Sequence, residues 1–244
     1  MRLKRLFTAT LFALISTFAF AIVPDNDKIF AHIHDSSSPF YYPNLMMRYQ
    51  AGDTLTEEEY HYLYYGFAYQ SAYRPLNSNP GMTKVQNIMA RLAIDTPSIS
   101  DIDELIAACT EAMENDPFSP KLLNIMAYAY GTSGDKAREK IYADHLAAIL
   151  RVIESSGTGA KEKEAMHIIM FSHGIDLIAS KGWGNRKGKI ISREVEFVPF
   201  DIPKGKLKGY FFDYSRIYWN KPEGYTFERE RTWQFNNLKP RQYK

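Results

Sequence analysis

The chain has 244 residues, 30 basic and 28 acidic side chains, 45% apolar residues, one Cys, and a ring content of three Trp, 17 Tyr and 15 Phe. That balance excludes a disordered chain, a collagen-like repeat and a disulfide-stapled miniprotein. A chain of this length can bury a full core, in one large domain or two small ones.

The first 21 residues read as a secretory signal. Arg2, Lys4 and Arg5 form a positive leader, residues 6–20 carry no charge, and Ala19-Phe20-Ala21 supplies a small-x-small cleavage site. An uncleaved anchor is the alternative, but the run is short for a membrane span and no second one follows. No Cys stands at the cleavage point, which disfavours a lipoprotein. The expectation is an exported protein, periplasmic or secreted, that starts near Ile22 and has no transmembrane segment once cleaved. Cys109 has no thiol to pair with and reads as a packing residue.

The near-neutral total conceals two halves. Residues 22–180 hold 12 basic and 21 acidic side chains, net −9, whereas residues 181–244 hold 15 basic and seven acidic ones, net +8. The simplest meaning is that the two parts attract and dock, with contact to an anionic polysaccharide as a second use of the basic end. The predicted division is a signal at 1–21, a helical domain at 22–160 and a small α+β unit with a basic aromatic tail at 161–244.

Residues 27–34 read as a short helix. Thr56 followed by Glu59 makes a capping box, predicting a helix over 57–71. Further helices are predicted over 83–94, from an N-cap at Ser100 to about 115, from Ser119-Pro120 to 131, and over 135–154. Asp116-Pro117 stops the third of these, and Gly157-Thr158-Gly159 closes the last. Residues 166–171 suit a buried strand or, by periodicity alone, a helix. Residues 174–180 form a short helix and 182–184 a loop. Alternation over 194–198 and 210–215 predicts antiparallel strands turned through Pro199, Pro203 and Gly205, and residues 225–235 are a further strand or an extended tail.

One spacing carries more than composition does. Ala112-Met113-Glu114-Asn115-Asp116-Pro117 resembles the close of a tetratricopeptide repeat, and Leu123, Met126, Ala127, Tyr130, Gly134 and Asp135 then fall on matching positions of the next. Tyr65-Gly66-Phe67-Ala68-Tyr69 repeats the large-small-x-x-Tyr core of residues 126–130, but its small residue lies 61 positions away and not 68. Gly66 and Ala127 would let paired helices approach closely. The fold class expected is α+β, with tetratricopeptide-like helical hairpins packed against a small C-terminal antiparallel sheet.

A second resemblance covers nearly the whole mature chain. Ser38-Pro39-Phe40-Tyr41-Tyr42-Pro43, Arg48 through Thr56, and Glu59-Tyr60 through Tyr64-Tyr65-Gly66 resemble the N-terminal hallmark of an exported bacterial family known as domain of unknown function 4919. Residues 165–169 and Gly209-Tyr210-Phe211-Phe212-Asp213 resemble its C-terminal strands. The resemblance implies export from a Gram-negative bacterium and brings no reaction, ligand or catalytic residue.

Motifs of the easily recognised enzyme classes are missing: no Gly-x-Ser-x-Gly elbow, phosphate loop, dinucleotide fingerprint, paired-Cys motif or His-Glu-x-x-His. A glycosidase needs no local motif, so an envelope hydrolase with unlocated carboxylates stays as the alternative. His32 and His34 diverge on a helix, which argues against a metal pair. His167 and His173 read as satisfied structural groups, against a Ser172-His173-Asp176 set that exists on spacing alone. Most of the aromatic side chains read as core filler. Lys204, Lys206, Lys208, Arg216, Arg229 and Arg231 among rings resemble a single-strand platform, yet an exported protein has little call for nucleic acid. The reading that results is a binding scaffold of the cell envelope, taking a protein or peptide in a concave groove at Tyr62, Tyr69, Asn124 and Tyr128, with no cofactor or metal expected.

Overall fold

A computed structural model describes residues 21–93 and 98–219. Of the predicted signal at 1–21 all but Ala21 lies outside them, as does the predicted strand or tail at 225–235. Asp25 opens α1 (Asn26–His34), its carboxylate accepting from the Lys28 N–H. A second helix, α2 (Tyr42–Ala51), was not anticipated: Pro43 sits in its first turn, where a missing N–H costs nothing. Gly52 ends it at φ 77°, a left-handed turn that an L side chain resists.

The capping box is present. The Thr56 hydroxyl accepts from the Glu59 N–H at 3.1 Å, and the Glu59 carboxylate accepts from the Thr56 N–H at 2.7 Å. Both open α3 (Glu57–Gly66), which tightens into a 3-10 turn at Phe67–Tyr69 and stops short of residue 71. This helix is buried on most of its circumference, including Tyr60, Tyr62, Leu63, Tyr64 and Tyr65, because α1, α2 and α7 all pack on it. Gly66 lets them approach: a methyl group there would stand 3.0 Å from Ile33 and 3.1 Å from Tyr42.

Two antiparallel pairs follow. One joins α4 (Pro80–Leu92) to α5 (Ile99–Met113), and the other joins α6 (Pro120–Ser133) to α7 (Lys136–Ser155). The cap of α5 is Ser98 and not Ser100: the Ser98 hydroxyl accepts from the Asp101 N–H and the Asp101 carboxylate accepts from the Ser98 N–H, a second capping box. Ser119 and Asp135 cap α6 and α7 as expected. An aliphatic core joins α4, α5 and α6 through Val85, Ile102, Leu105, Cys109, Leu122 and Met126. Burial pushes the Cys109 thiol up to about 12, so it is an inert packing group.

The predicted strand at 166–171 is only β1 (Met166–His167), after which α8 (Phe171–Ser180) begins. Then come β2 (Lys189–Ile190), β3 (Val195–Lys204) and β4 (Leu207–Asp213). The sheet order is β1-β4-β3-β2. The architecture is α+β, with the sheet mixed instead of wholly antiparallel: β1 runs parallel to β4. The chain between these two strands carries α8 and two further strands, ample length for a parallel return. Pro199 and Pro203 lie within β3, and the turn falls at Gly205, φ 62°. β2 pairs with β3 at Glu196 and Phe197, and residues 184–186 continue along the same edge, where Pro199 takes part only as an acceptor, its carbonyl receiving the Arg186 N–H at 2.9 Å.

The larger core runs from Ile29 and Tyr64 through Ile149 and Ile169 to Phe212 and Ile217. It therefore continues across the expected boundary at residue 160. No helix among the described residues is long and apolar enough to cross a membrane.

Candidate functional site

Three stretches far apart in sequence meet at one cleft of about 650 Å³: Ile22 to Ile29, the first turns of α3, and the last turns of α7. On α7 the contributors Ala148, Arg151, Val152 and Ser155 recur at helical spacing, so one face of the helix makes one wall. Ile29, Ala148 and Val152 form an apolar floor. Charges ring it. Lys28 stands 3.6 Å from Asp25 and Arg151 3.6 Å from Glu57, while Glu58 and Glu154 add negative charge without a cation from within the cleft. Its size and apolar floor suit a ligand site between helices.

His61 is the polar group in its wall. The ring lies edge-on to Tyr65, centroids 4.9 Å apart, and Nδ1 is shielded without a hydrogen-bond partner among the described residues. Burial, helped by the nearby Arg216 charge, lowers its pKa to about 4, so it is a neutral imidazole at physiological pH. Tyr60, beside it, is pushed up to about 12 by burial and keeps its proton.

The other histidines of the interior are committed to the fold. Tyr60 donates its hydroxyl to His145 Nδ1 at 2.7 Å, and His145 Nε2 lies 3.1 Å from the Tyr49 carbonyl, so the proton belongs on Nε2. His173 is buried completely. Its Nε2 faces the Asp116 carboxylate at 3.0 and 3.1 Å, and its Nδ1 faces the Tyr64 hydroxyl at 2.8 Å. A histidine between a carboxylate and a hydroxyl has the connectivity of a nucleophilic triad. Here the hydroxyl is a tyrosine closed to solvent, so the chain of bonds pins α3, the Asp116-Pro117 stop and α8 together. Ser172 is exposed and makes no bond to His173, which dissolves the Ser172-His173-Asp176 spacing. Asp176 stands beside this group with its carboxyl raised by burial.

Arg216 is a third node. Only 2% exposed, its guanidinium donates to the Pro24 carbonyl at 3.1 Å and to the Asn26 side chain, and lies over the Tyr65 ring at 5.0 Å. Desolvation lowers its pKa from the usual arginine value. His32 and His34 do diverge: His32 reaches Ser38 at 3.2 Å and His34 the Phe30 carbonyl at 2.8 Å.

The four residues assigned to a groove are not brought together. Tyr62 is 9% exposed and stacks on Phe40 at 4.1 Å. Tyr69 is half-buried, donates to the Asn26 carbonyl at 3.0 Å and packs against Trp219. Asn124 and Tyr128 are exposed on α6. Only Tyr62 borders the cleft. On the α3 side, α1 takes up both tyrosines, with His32 edge-on to Tyr62 and Phe30 edge-on to Tyr69.

The matched region supplies the kinship. A family model, domain of unknown function (DUF4919), fits residues 27–222, from the first turn of α1 past the last described residue. The chain belongs to the DUF4919 family. No curated protein and no solved structure matches it. Within this DUF4919 chain the match takes in both helical walls of the cleft, while Ile22 to Asn26 precede it.

Proposed function

We propose that this chain is an exported binding protein of the cell envelope, and that the cleft between α1, α3 and α7 receives a peptide segment presenting an apolar side chain next to a basic residue. The single observation behind this reading is the cleft itself, an apolar floor bordered by four carboxylates, Asp25, Glu57, Glu58 and Glu154, against two cations, Lys28 and Arg151. A groove between helices with such a floor suits an inserted side chain, and the acidic excess on its rim suits a neighbouring Lys or Arg. Tetratricopeptide-like hairpins belong to the same proposal, since α7, the second helix of the α6–α7 pair, supplies one wall. The cationic terminal region adds a possible anionic polysaccharide contact.

The hydrolase reading finds less support. A glycosidase acid must hold its proton near neutral pH, and the carboxyl that burial raises, Asp176, lies beside His173 and Asp116 and not in the cleft.

The test uses fluorescein-labelled hexapeptides in which one Leu or Phe is flanked by Lys, and a matched set flanked by Glu. Fluorescence anisotropy should show the Lys set binding and the Glu set not. Glu58→Lys, a change at an exposed position, should weaken binding about tenfold, the loss of one favourable charge contact near 1.4 kcal/mol. Equal affinity for the two sets, or an unaffected variant, would contradict the assignment.

A further inference from the structure

Two observations of different kinds meet at Ile22. From the sequence, the signal cleavage site ends at Ala21. From the structure, the Ile22 nitrogen makes the chain's first described backbone hydrogen bond into the body, donating to the Ser155 carbonyl at 2.7 Å. Ser155 is the last residue of α7, so its carbonyl has no partner within the helix and stands at the negative end of the helix dipole.

We propose that the amine freed at Ile22 by cleavage is a built part of the mature fold: it seats as an ammonium on the C-terminal end of α7, and export processing thereby strengthens a contact that holds one wall of the cleft. The inference rests on the export reading above. In the uncut chain the Ile22 nitrogen is a neutral amide with one proton to donate. After cleavage it carries a positive charge and three protons, and a charge-assisted bond is roughly twice as strong as a neutral one.

The groups around that charge are of both signs. Asp25 and Lys28 face the cleft from the start of α1 and pair with each other. From α3 come the carboxylates of Glu57 and Glu58, the neutral His61 and the phenols Tyr60 and Tyr62. From α7 come Arg151, paired to Glu57, and Glu154, paired to Lys181. With Asp25, Glu57 and Glu154 each matched by a cation, Glu58 leaves the cleft lining with an excess of one carboxylate, so an ammonium enters a weakly negative field.

The segment that follows is fixed in place. Arg216 holds the Pro24 carbonyl and the Asn26 side chain, and Asp25 caps α1. Ile22 and Val23 are thereby held as lining of the cleft, although each is more than half exposed.

The sign of the pH effect follows from the ammonium. A raised α-amine pKa in the folded state contributes stability that is full below the unfolded value of about 7.7–8.0 and disappears as pH rises through the folded value. The experiment exports the full chain in a Gram-negative host, reads the mature N-terminus by intact mass, and compares it with a chain bearing Ser-Gly ahead of Ile22. Thermal unfolding is followed from pH 6 to 10.

The mature chain should begin at Ile22. Below pH 8 it should melt roughly 2–4 °C above the extended chain, with the difference gone by pH 10. Cleavage elsewhere, or none, overturns the processing premise and this inference with it. Cleavage at Ile22 with superimposable melting curves overturns the inference and leaves the export reading standing. Neither result depends on peptide binding, so a failed cleft assignment is separately visible.

Discussion

The two cores of the molecule are built on different chemistry. Between α4, α5 and α6 the interior is Val85, Ile102, Leu105, Leu122 and Met126 with small Ala and Cys residues. Around α3 it is tyrosine-rich, with Tyr49, Tyr60, Tyr64, Tyr65 and Tyr73 buried beside His145 and His173. Hydroxyls there reach across the chain: Tyr65 donates to the His167 carbonyl at 3.0 Å and Tyr73 to the Ile169 carbonyl at 2.7 Å. Dispersion and area burial hold the first core, which tolerates exchange of one apolar shape for another. In the second, directional bonds add a requirement of geometry, since any phenol that misses its partner leaves a buried polar group unsatisfied. The cleft lies on the pinned side, where its walls are held most tightly.

The largest expected effect breaks a pin. His173→Ala strands the Asp116 carboxylate and the Tyr64 hydroxyl in the interior, and urea unfolding should register a loss of about 4 kcal/mol. In the aliphatic core Leu105→Ala should cost about 3 kcal/mol through transfer and cavity terms. The gentler pair separates the two chemistries: Tyr64→Phe removes one oxygen and should cost about 2 kcal/mol, whereas Leu105→Met should stay below about 1.5. Equal costs for that pair would erase the distinction between the cores.

Acid tests the same side. His61 is held down to about 4 and His145 is lowered by burial, so each folds in its neutral form. A depressed folded value means that the stabilisation is present above the unfolded value near 6.5 and is lost as pH falls toward the folded one. Stability should therefore decline between pH 6.5 and about 4, and His61→Phe should flatten part of that decline in a pH-dependent melting series.

Salt should have the smallest effect. Charge arithmetic suggests that the acidic body and basic end dock by attraction; contacts across residue 180 include the Lys181–Glu154 ion pair and the approach of His167 Nδ1 to the Asp213 carboxylate at 3.5 Å. The buried Arg216 makes the connection by donating to neutral oxygens, Pro24 among them. Partly exposed pairs are worth about 1 kcal/mol or less and are screened, so melting should move by only a few degrees between 0.05 and 1 M NaCl.

What could be read from sequence was local. The box at Thr56 and Glu59, the caps Ser119 and Asp135, and the α1 helix are determined by residues within a turn of one another. Ser98 and Ser100 each have an aspartate three residues on, Asp101 and Asp103, so local spacing offers two equivalent caps and does not choose between them. The start of α2 has no side-chain cap at Tyr41, so Pro43 in its first turn is the only local sign of a helix there. Parallel pairing of β1 with β4 and the burial of Tyr62 beneath α1 and Phe40 depend on long-range packing that spacing does not encode. The cleft is the extreme case, since Ile22, His61 and Val152 belong to three separate segments and come together only in the folded chain. Its one legible trace was the i, i+3, i+4 recurrence of Ala148, Arg151 and Val152.

The most direct measurement of the central claim is a ¹⁵N-labelled chain titrated with a Lys-Leu-Lys peptide and followed by NMR. Shifts confined to the cleft, at Lys28, Glu58, His61 and Arg151, are the predicted result. Shifts centred on Asn124 and Tyr128 of α6, with the cleft unchanged, would contradict it.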